Sequence, residues 1–376
     1  MLDEQSRLVD FPSLEGMTYL NTAAESIPPR VVVEAGETYW QHKSMGMAGR
    51  EHHYAQLDAC RESAARMLGK KPSEISFCSC SSEAYNLLAS ALGLGKGDEV
   101  VVSDLDFPAG ATPWLTATNQ PTVKLWQSQG GVLELEGLEK LLTERTRLVQ
   151  VSLVSFLNGY RICWAPFRDL VRTLAPHAIL SVDVTQAFGR VELDCLDADC
   201  LISSTHKWIL GSHGGCVVAI PEAKAERLTT HAGGWFHLDE PFGAARFAQA
   251  SVKGGAASFS VGMPNFPAIY ALRAAMDYIQ SVGVANIAAH ADPLVQQVHE
   301  GLADLGIETM APFSPDCRSG IVAFINEKVE AVNEVLLADN IHVMHHAGRI
   351  RIAVHGYNRQ EDVERLLAGL RAGIGK

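Results

Sequence analysis

The sequence predicts an α/β fold, with a mostly parallel sheet flanked by helices and a smaller α+β domain after it. Three observations predict it. Short β-branched runs alternate with helical segments through the middle of the chain. Those runs are nearly continuous in apolar residues, as strands buried on both faces must be. At 376 residues the chain also exceeds one ordinary core, so two domains are expected.

The elements follow in order. Residues 74–78 read as a strand and 82–92 as a helix, then 99–102 as a strand and 108–118 as a helix. The pattern continues with a strand at 122–126, a short helix at 135–142 and a strand at 148–151. A helix at 167–174 precedes strands at 178–183, 200–203 and 215–220. Beyond Gly262 the pattern changes to long helices at 266–282 and about 285–305. Strands near 321–324 and 349–354 then alternate with helices. This places a large domain at 15–262 and a small one at 263–376, with residues 1–14 packing near the latter.

Composition narrows the function. The hydrophobic share of 47% and charged share of 20% describe a soluble globular chain. A net charge of −12 argues against a nucleic-acid partner, which wants a basic footprint. It leaves room for an anionic cofactor, because one site can be positive within an acidic protein. No apolar run reaches the roughly 18 residues of a membrane helix. The start, MLDEQSRLVDF, lacks a basic segment followed by an apolar core, so a cytoplasmic location is expected. The cysteines are Cys60, Cys78, Cys80, Cys163, Cys195, Cys200, Cys216 and Cys317, with no C-x-x-C spacing. They read as reduced structural thiols, with no metal site and no disulfide.

Asp183 ends one apolar run, and Lys207 lies just past the next, in Ser203-Ser204-Thr205-His206-Lys207-Trp208. A carboxylate at a strand end can hold a pyridine nitrogen protonated, and a lysine amine can form a Schiff base with an aldehyde. The pair fits pyridoxal 5'-phosphate. Ser81-Ser82-Glu83 opens a helix after a strand, a natural anion site, although plain capping by either serine explains it equally. Phe107, after the next strand, can stack on a flat ring or belong to the core.

With these residues in view, the chain resembles the fold-type I pyridoxal-phosphate enzymes of the class V aminotransferase group. That group includes cysteine desulfurases, kynureninases and isopenicillin N epimerase-like proteins. The likeness runs from Tyr19-Leu20-Asn21-Thr22-Ala23-Ala24 to Arg351-Ile352-Ala353-Val354-His355-Gly356-Tyr357-Asn358, and includes Asp183, Gln186, Asp199, Ser204, His206 and Lys207. The resemblance implies Lys207 as Schiff-base lysine and base, and Asp183 as partner of the ring nitrogen. It implies Gln186 as partner of the ring oxygen. Ser82, Ser204 and His206 would hold the phosphate with Ser81 nearby, and Phe107 would stack on the ring. His206 joins Lys207 and Asp183 in the catalytic group. Arg351 and Asn21 would bind the substrate, a small-molecule amino acid held through its α-carboxylate. Arg349 is the competing assignment for Arg351. A homodimer is implied as well.

Departures from the family pattern bear on the reaction. Desulfurases carry a nucleophilic cysteine before the terminal arginine, whereas this chain reads Val343-Met344-His345-His346-Ala347-Gly348-Arg349. They also place a histidine where Phe107 stands. Met263 replaces a threonine that reaches the neighbouring subunit's phosphate, with Asn265 or a backbone N–H as candidate substitute. Asn158 is a candidate cofactor contact. His345 and His346 read as an exposed loop pair that can also bind an acidic group. His42, His52 and His53 read as a solvated face near a loop. The expected activity is aminotransfer at Cα, with a β-eliminating lyase or an amino-acid epimerase as alternatives. A non-catalytic binding protein would be expected to lose Lys207, Asp183 or Arg351. A dinucleotide enzyme would show G-x-G-x-x-G after its first strand.

Overall fold

Apolar segments with little polar surface to leave in water pair into one seven-stranded sheet. The computed structural model describes residues 4–315 and 317–374. The chain opens with α1 (Glu4–Asp10), β1 (Thr18–Tyr19), α2 (Arg30–Ser44) and α3 (Arg50–Leu68). The large sheet then begins with β2 (Ile75–Cys78), α4 (Ser81–Leu92), β3 (Glu99–Ser103), α5 (Pro108–Leu115) and β4 (Thr122–Trp126). It continues through α6 (Leu135–Glu139), β5 (Thr146–Ser152), α7 (Trp164–Leu174), β6 (Ile179–Asp183), β7 (Cys200–Ser204) and β8 (Cys216–Ala219). After α8 (Phe266–Val282) and α9 (Val284–Asp304) come β9 (Ile321–Ile325), α10 (Val329–Ala338) and β10 (Ile341–His342). The last elements are β11 (Met344–His346), β12 (Arg349–Ala353) and α11 (Gln360–Ile374).

The strand order is β2-β8-β7-β6-β5-β3-β4, with β8 antiparallel to both neighbours and the other pairs parallel. Alternate side chains feed two cores. Val101, Val149, Leu180, Val182 and Leu201 join one with Phe167 and Val171 of α7. Val100, Val102, Leu148, Ile179 and Ile202 join the other with Leu87 and Leu88 of α4. The expected α/β sheet is therefore present. Helices α2 and α3, which the alternating pattern did not single out, pack on α8. Ile269, Leu272, Met276 and Ile279 of α8 share the core of the large sheet, although the sequence pattern grouped 266–282 with the small domain.

A separate core gathers Leu294 and Val298 of α9, Val322 and Phe324 of β9, Ile350 and Ile352 of β12, and Leu366 and Leu370 of α11. Here β11, β12 and β9 form an antiparallel sheet, and β1 pairs parallel with β10. Of the opening segment, residues 1–3 lie outside the described residues. Arg7 Nε donates to Tyr357 O at 2.7 Å, while Phe11 and Leu14 enter the large core.

Two expectations are corrected. Cys163 and Cys317 form a disulfide across 154 residues of sequence, with Cα atoms 5.9 Å apart. Cysteine spacing carries no sign of it, because the pair meets only when the 311–320 segment folds onto the start of α7. The remaining six cysteines are free. His53 belongs to the buried side of α3, and its Nδ1 lies 3.0 Å from Tyr270 Oη, with His42 Nδ1 at 2.8 Å from the same oxygen. Of the three histidines read as a solvated face, His52 is exposed and His42 half-buried.

Candidate active site

The two central strands β6 and β7 run parallel and end side by side, so Asp183 and the turn after Ser204 emerge at the same carboxyl edge. Asp183 is buried, and both of its carboxylate oxygens are engaged. Tyr85 Oη donates to Oδ2 at 2.7 Å, and the Thr185 N–H donates to Oδ1 at 2.8 Å. Thr185 Oγ1 in turn accepts the Ser204 N–H at 3.0 Å, tying the two strand ends together. Tyr85 was not among the residues read from the sequence. Its signal was an aromatic hydroxyl on the apolar face of α4, which needs a buried partner.

Lys207 sits in a tight turn. The Leu210 N–H donates to Lys207 O at 2.8 Å and the Gly211 N–H to Thr205 O at 2.9 Å. Leu210 holds φ at 62° although it is fully buried, a left-handed conformation that costs about 1–2 kcal/mol outside glycine. Such strain marks functional turns. Lys207 Nζ stands 5.4 Å from the centroid of the Phe107 ring. Burial pushes its amine down to about 8; Asp183 and Glu25 pull it up, and Arg351 pushes it further down. A useful share of the nucleophilic neutral amine is thus present near neutral pH.

Phe107 is held by the residue before it. Asp106 Oδ2 accepts the Ser103 N–H at 2.8 Å and Oδ1 accepts the Ser152 N–H at 2.5 Å, so one carboxylate fastens the ends of β3 and β5. Burial pushes that carboxyl up to about 6 against the pull of the two donors. The Phe107 ring is 43% exposed and meets Phe156 edge-on at 5.1 Å. It therefore faces the cleft rather than the core.

Ser81 and Ser82 form the first turn of α4. Among the described residues no side chain caps this helix, whose N-cap position is Cys80. Glu83 turns back to accept the Ser79 N–H and hydroxyl, each at 2.6 Å. The first-turn N–H groups of α4 thus take no side-chain cap, and Glu83 is the acidic residue of that turn. His206 stacks on His213 at 4.2 Å, and His213 Nε2 lies 2.7 Å from Glu25 Oε2. Burial, then Lys207 and His213, push His206 down to about 4, so it is a neutral ring. Gln186 Oε1 accepts the Trp208 indole N–H at 2.6 Å, and its Nε2 donates to Ala23 O at 3.1 Å, leaving one amide hydrogen.

On the substrate side, Arg351 is 4% exposed and its Nη1 donates to Phe156 O at 2.7 Å. Burial and then Arg349 push its guanidinium down to about 10. Among the described residues its Nε is buried without a partner, as is Asn21 Oδ1, which a bridge between Asn21 and Ala353 places beside β12. Buried polar atoms are normally paired. An uncapped helix terminus, a lysine amine under an aromatic face and orphaned polar atoms beside a buried arginine fit a phosphorylated ring carrying an amino acid.

The other sequence candidates have contacts of their own, and Met263 and Asn265 line a cavity with Ser79 and Glu83. Asn158 donates to Gly131 O at 2.8 Å and accepts the Tyr160 N–H at 3.0 Å, so it shapes a loop. Asn265 Nδ2 donates to Gly214 O at 3.0 Å, and Met263 is largely exposed. Asp199 is an ion-pair hub for Arg172 and Lys224. His355 is buried, with Nε2 2.9 Å from Trp208 O and Nδ1 accepting the Gly356 N–H, and burial pushes it down to about 3. It supports the turn behind Lys207. His345 lies in a strand, 3.5 Å from Glu330, and His346 is exposed.

Comparison with known proteins shows the family and the fold. The model of the family described as "Aminotransferase class-V" matches residues 18–366. The chain is 26% identical over 373 residues to "Uncharacterized aminotransferase YcbU" of Bacillus subtilis, covering 99% of this chain and 98% of the relative. It is 28% identical over 403 residues to a cysteine desulfurase of Cronobacter sakazakii, covering 96% of each. Among solved structures, the cysteine desulfurase from Thermococcus onnurineus NA1 has the same fold, with TM-score 0.89 at 24% identity over 100% of this chain and 99% of that one. So has the cystine C-S lyase C-DES, with TM-score 0.87 at 21% identity over 96% and 99%. The chain belongs to the class-V aminotransferase family of pyridoxal 5'-phosphate-dependent enzymes.

Proposed function

We propose that the chain is an aminotransferase acting at the Cα of an amino acid. The observation that carries this reading is the buried Lys207 amine, 5.4 Å from the centroid of the Phe107 ring, which burial pushes down to about 8. Pyridoxal 5'-phosphate, when bound, supplies an aldehyde and an electron-withdrawing ring. Ser82, Ser204 and His206, with Ser81 beside them, would hold its phosphate on the uncapped terminus of α4. Asp183 would face the ring nitrogen, Gln186 would give its remaining N–H to the ring oxygen, and Phe107 would cover the ring face. Arg351 and Asn21 would hold the substrate carboxylate. Lys207, free as an amine, takes the proton from Cα and returns it.

Transfer is favoured over desulfuration because a persulfide route needs a thiolate that can reach the substrate. The 343–349 segment holds no cysteine, and Cys317 is bonded to Cys163. A β-eliminating lyase is the second reading, because relatives named as cysteine desulfurases match nearly the whole chain. Epimerisation would share every residue above up to the fate of the proton. The same proposal includes a cytoplasmic location and a homodimer, the latter supported by the exposed apolar Val31, Val33, Trp40, Met45 and Met47 on and after α2.

Three measurements test the reading. Purified protein mixed with the cofactor should develop visible absorption, and Lys207→Ala should lose turnover by at least about a thousandfold while keeping its fold. Protein that takes up no cofactor would sink the assignment of these residues. An amino-acid panel should show transfer that depends on an added 2-oxo acid. Pyruvate release without an acceptor would move the chain to the lyase reading.

A further inference from the structure

The substrate side of the site contains one cation too many for a single carboxylate. Arg349 and Arg351 are two residues apart on β12, so they project from the same face. Ile350 between them is buried in the small core, which fixes that face. On the neighbouring strand β11, Met344 pairs with Arg351 and His346 with Arg349, so these two side chains share the face. His345, opposite Ile350, points the other way, to Glu330.

Neither arginine has an acidic partner among the described residues. The Nε atoms of both are buried and unpaired, and the one side-chain bond given by the pair goes from Arg351 to the Phe156 carbonyl. The two guanidinium groups also act on each other, since Arg349 helps push Arg351 down. A buried arginine beside a second, half-buried one is a costly pairing of like charges unless an anion joins them. A single α-carboxylate occupies one guanidinium fork, which leaves Arg349 unexplained. Successive same-face positions lie about 6.6 Å apart along a strand, a span that matches two anionic groups on a short carbon chain.

We propose that Arg349, flanked by His346, binds a second anionic group, so that the enzyme's substrates are acidic: an amino acid with a side-chain carboxylate, or the corresponding dicarboxylic 2-oxo acid. This inference rests on the aminotransferase reading for the role of Arg351. Arg349 is then a specificity-determining residue, and Arg351 the anchor common to every substrate.

The test uses cofactor-treated protein and calorimetric titration with maleate, a dicarboxylate without an amine, against propionate. Maleate should bind about 10–100-fold more tightly, the worth of one charge-assisted hydrogen-bond pair. In Arg349→Gln that ratio should fall towards one, and Arg349→Lys should retain part of it; circular dichroism verifies that both variants fold. Equal binding of the two acids, or an unchanged ratio in Arg349→Gln, overturns the inference. Visible absorption of the same samples keeps the two claims apart. Protein that stays colourless yet prefers maleate upholds the dicarboxylate site and defeats the aminotransferase reading.

Discussion

At the residue scale, Asp183 depends on a partner from another element. Tyr85 Oη, 98 residues away in sequence, donates to its carboxylate at 2.7 Å. A hydrogen bond to a buried charge is worth about 1.5–3 kcal/mol. It fixes the orientation of the carboxylate that would face a protonated ring nitrogen. Tyr85→Phe keeps the shape of the ring and removes only the hydroxyl. The expected outcome is normal cofactor uptake, with kcat/KM lowered about tenfold. Unchanged kinetics would mean that the Thr185 N–H alone positions Asp183. Asp183 itself and Lys207 were legible in the sequence because each stands at the end of an apolar run. Tyr85 was not, because its hydroxyl finds its partner only when α4 lies across the sheet.

At the element scale, the ends of β3 and β5 are held by one side chain. Asp106 accepts N–H groups from Ser103 and Ser152, and the chain then turns into α5 with Phe107 leading. In Asp106→Asn an amide NH2 would face one of those two N–H donors. The expected cost is about 1–3 kcal/mol of stability, read as a lower urea midpoint. Weaker shielding of the Lys207 amine by Phe107 should follow. A midpoint equal to that of the unsubstituted protein would show that strand pairing alone sets this edge. The strands and α8 were legible as apolar periodicities. The orientation of β8 was not, because parallel and antiparallel buried strands carry the same apolar pattern.

At the scale of the whole molecule, several groups tie stability to pH. His355 is pushed down to about 3 and His206 to about 4, in both cases by burial first. Their unfolded values lie near 6.5, so between pH 6.5 and about 4 the unfolded chain binds two protons that the folded chain refuses. Asp106 acts in the opposite direction, since its folded value near 6 exceeds the unfolded value near 3.9. Burial raises Glu99, but Lys124, Thr143 and Arg145 overcome this and hold it at about 2, so its contribution is lost as pH falls below about 4.5. The balance is one net extra proton on the unfolded chain at first, and more below pH 4.5. Stability should therefore fall as pH drops below about 6.5, and fall faster below about 4.5. Urea midpoints across that range measure it. His355→Gln, which keeps a donor for Trp208 O, should flatten the first part of the slope; a slope that persists unchanged would remove His355 from the account.

Local order along the chain settled the α/β alternation, the residues at the strand ends and the serines that open α4. These features are written in periodicity and in the residue types of near neighbours, which interact within a few positions of each other. Lys207 and Asp183 were therefore paired as candidates before any fold was seen. Tertiary structure alone decided which distant groups meet. It brought Tyr85 to Asp183 and closed Cys163 onto Cys317. It also left the Nε atoms of Arg349 and Arg351 buried without a partner among the described residues. Sequence neighbours do not specify such meetings, because each depends on how separately formed segments pack and on the burial that packing imposes on their charges.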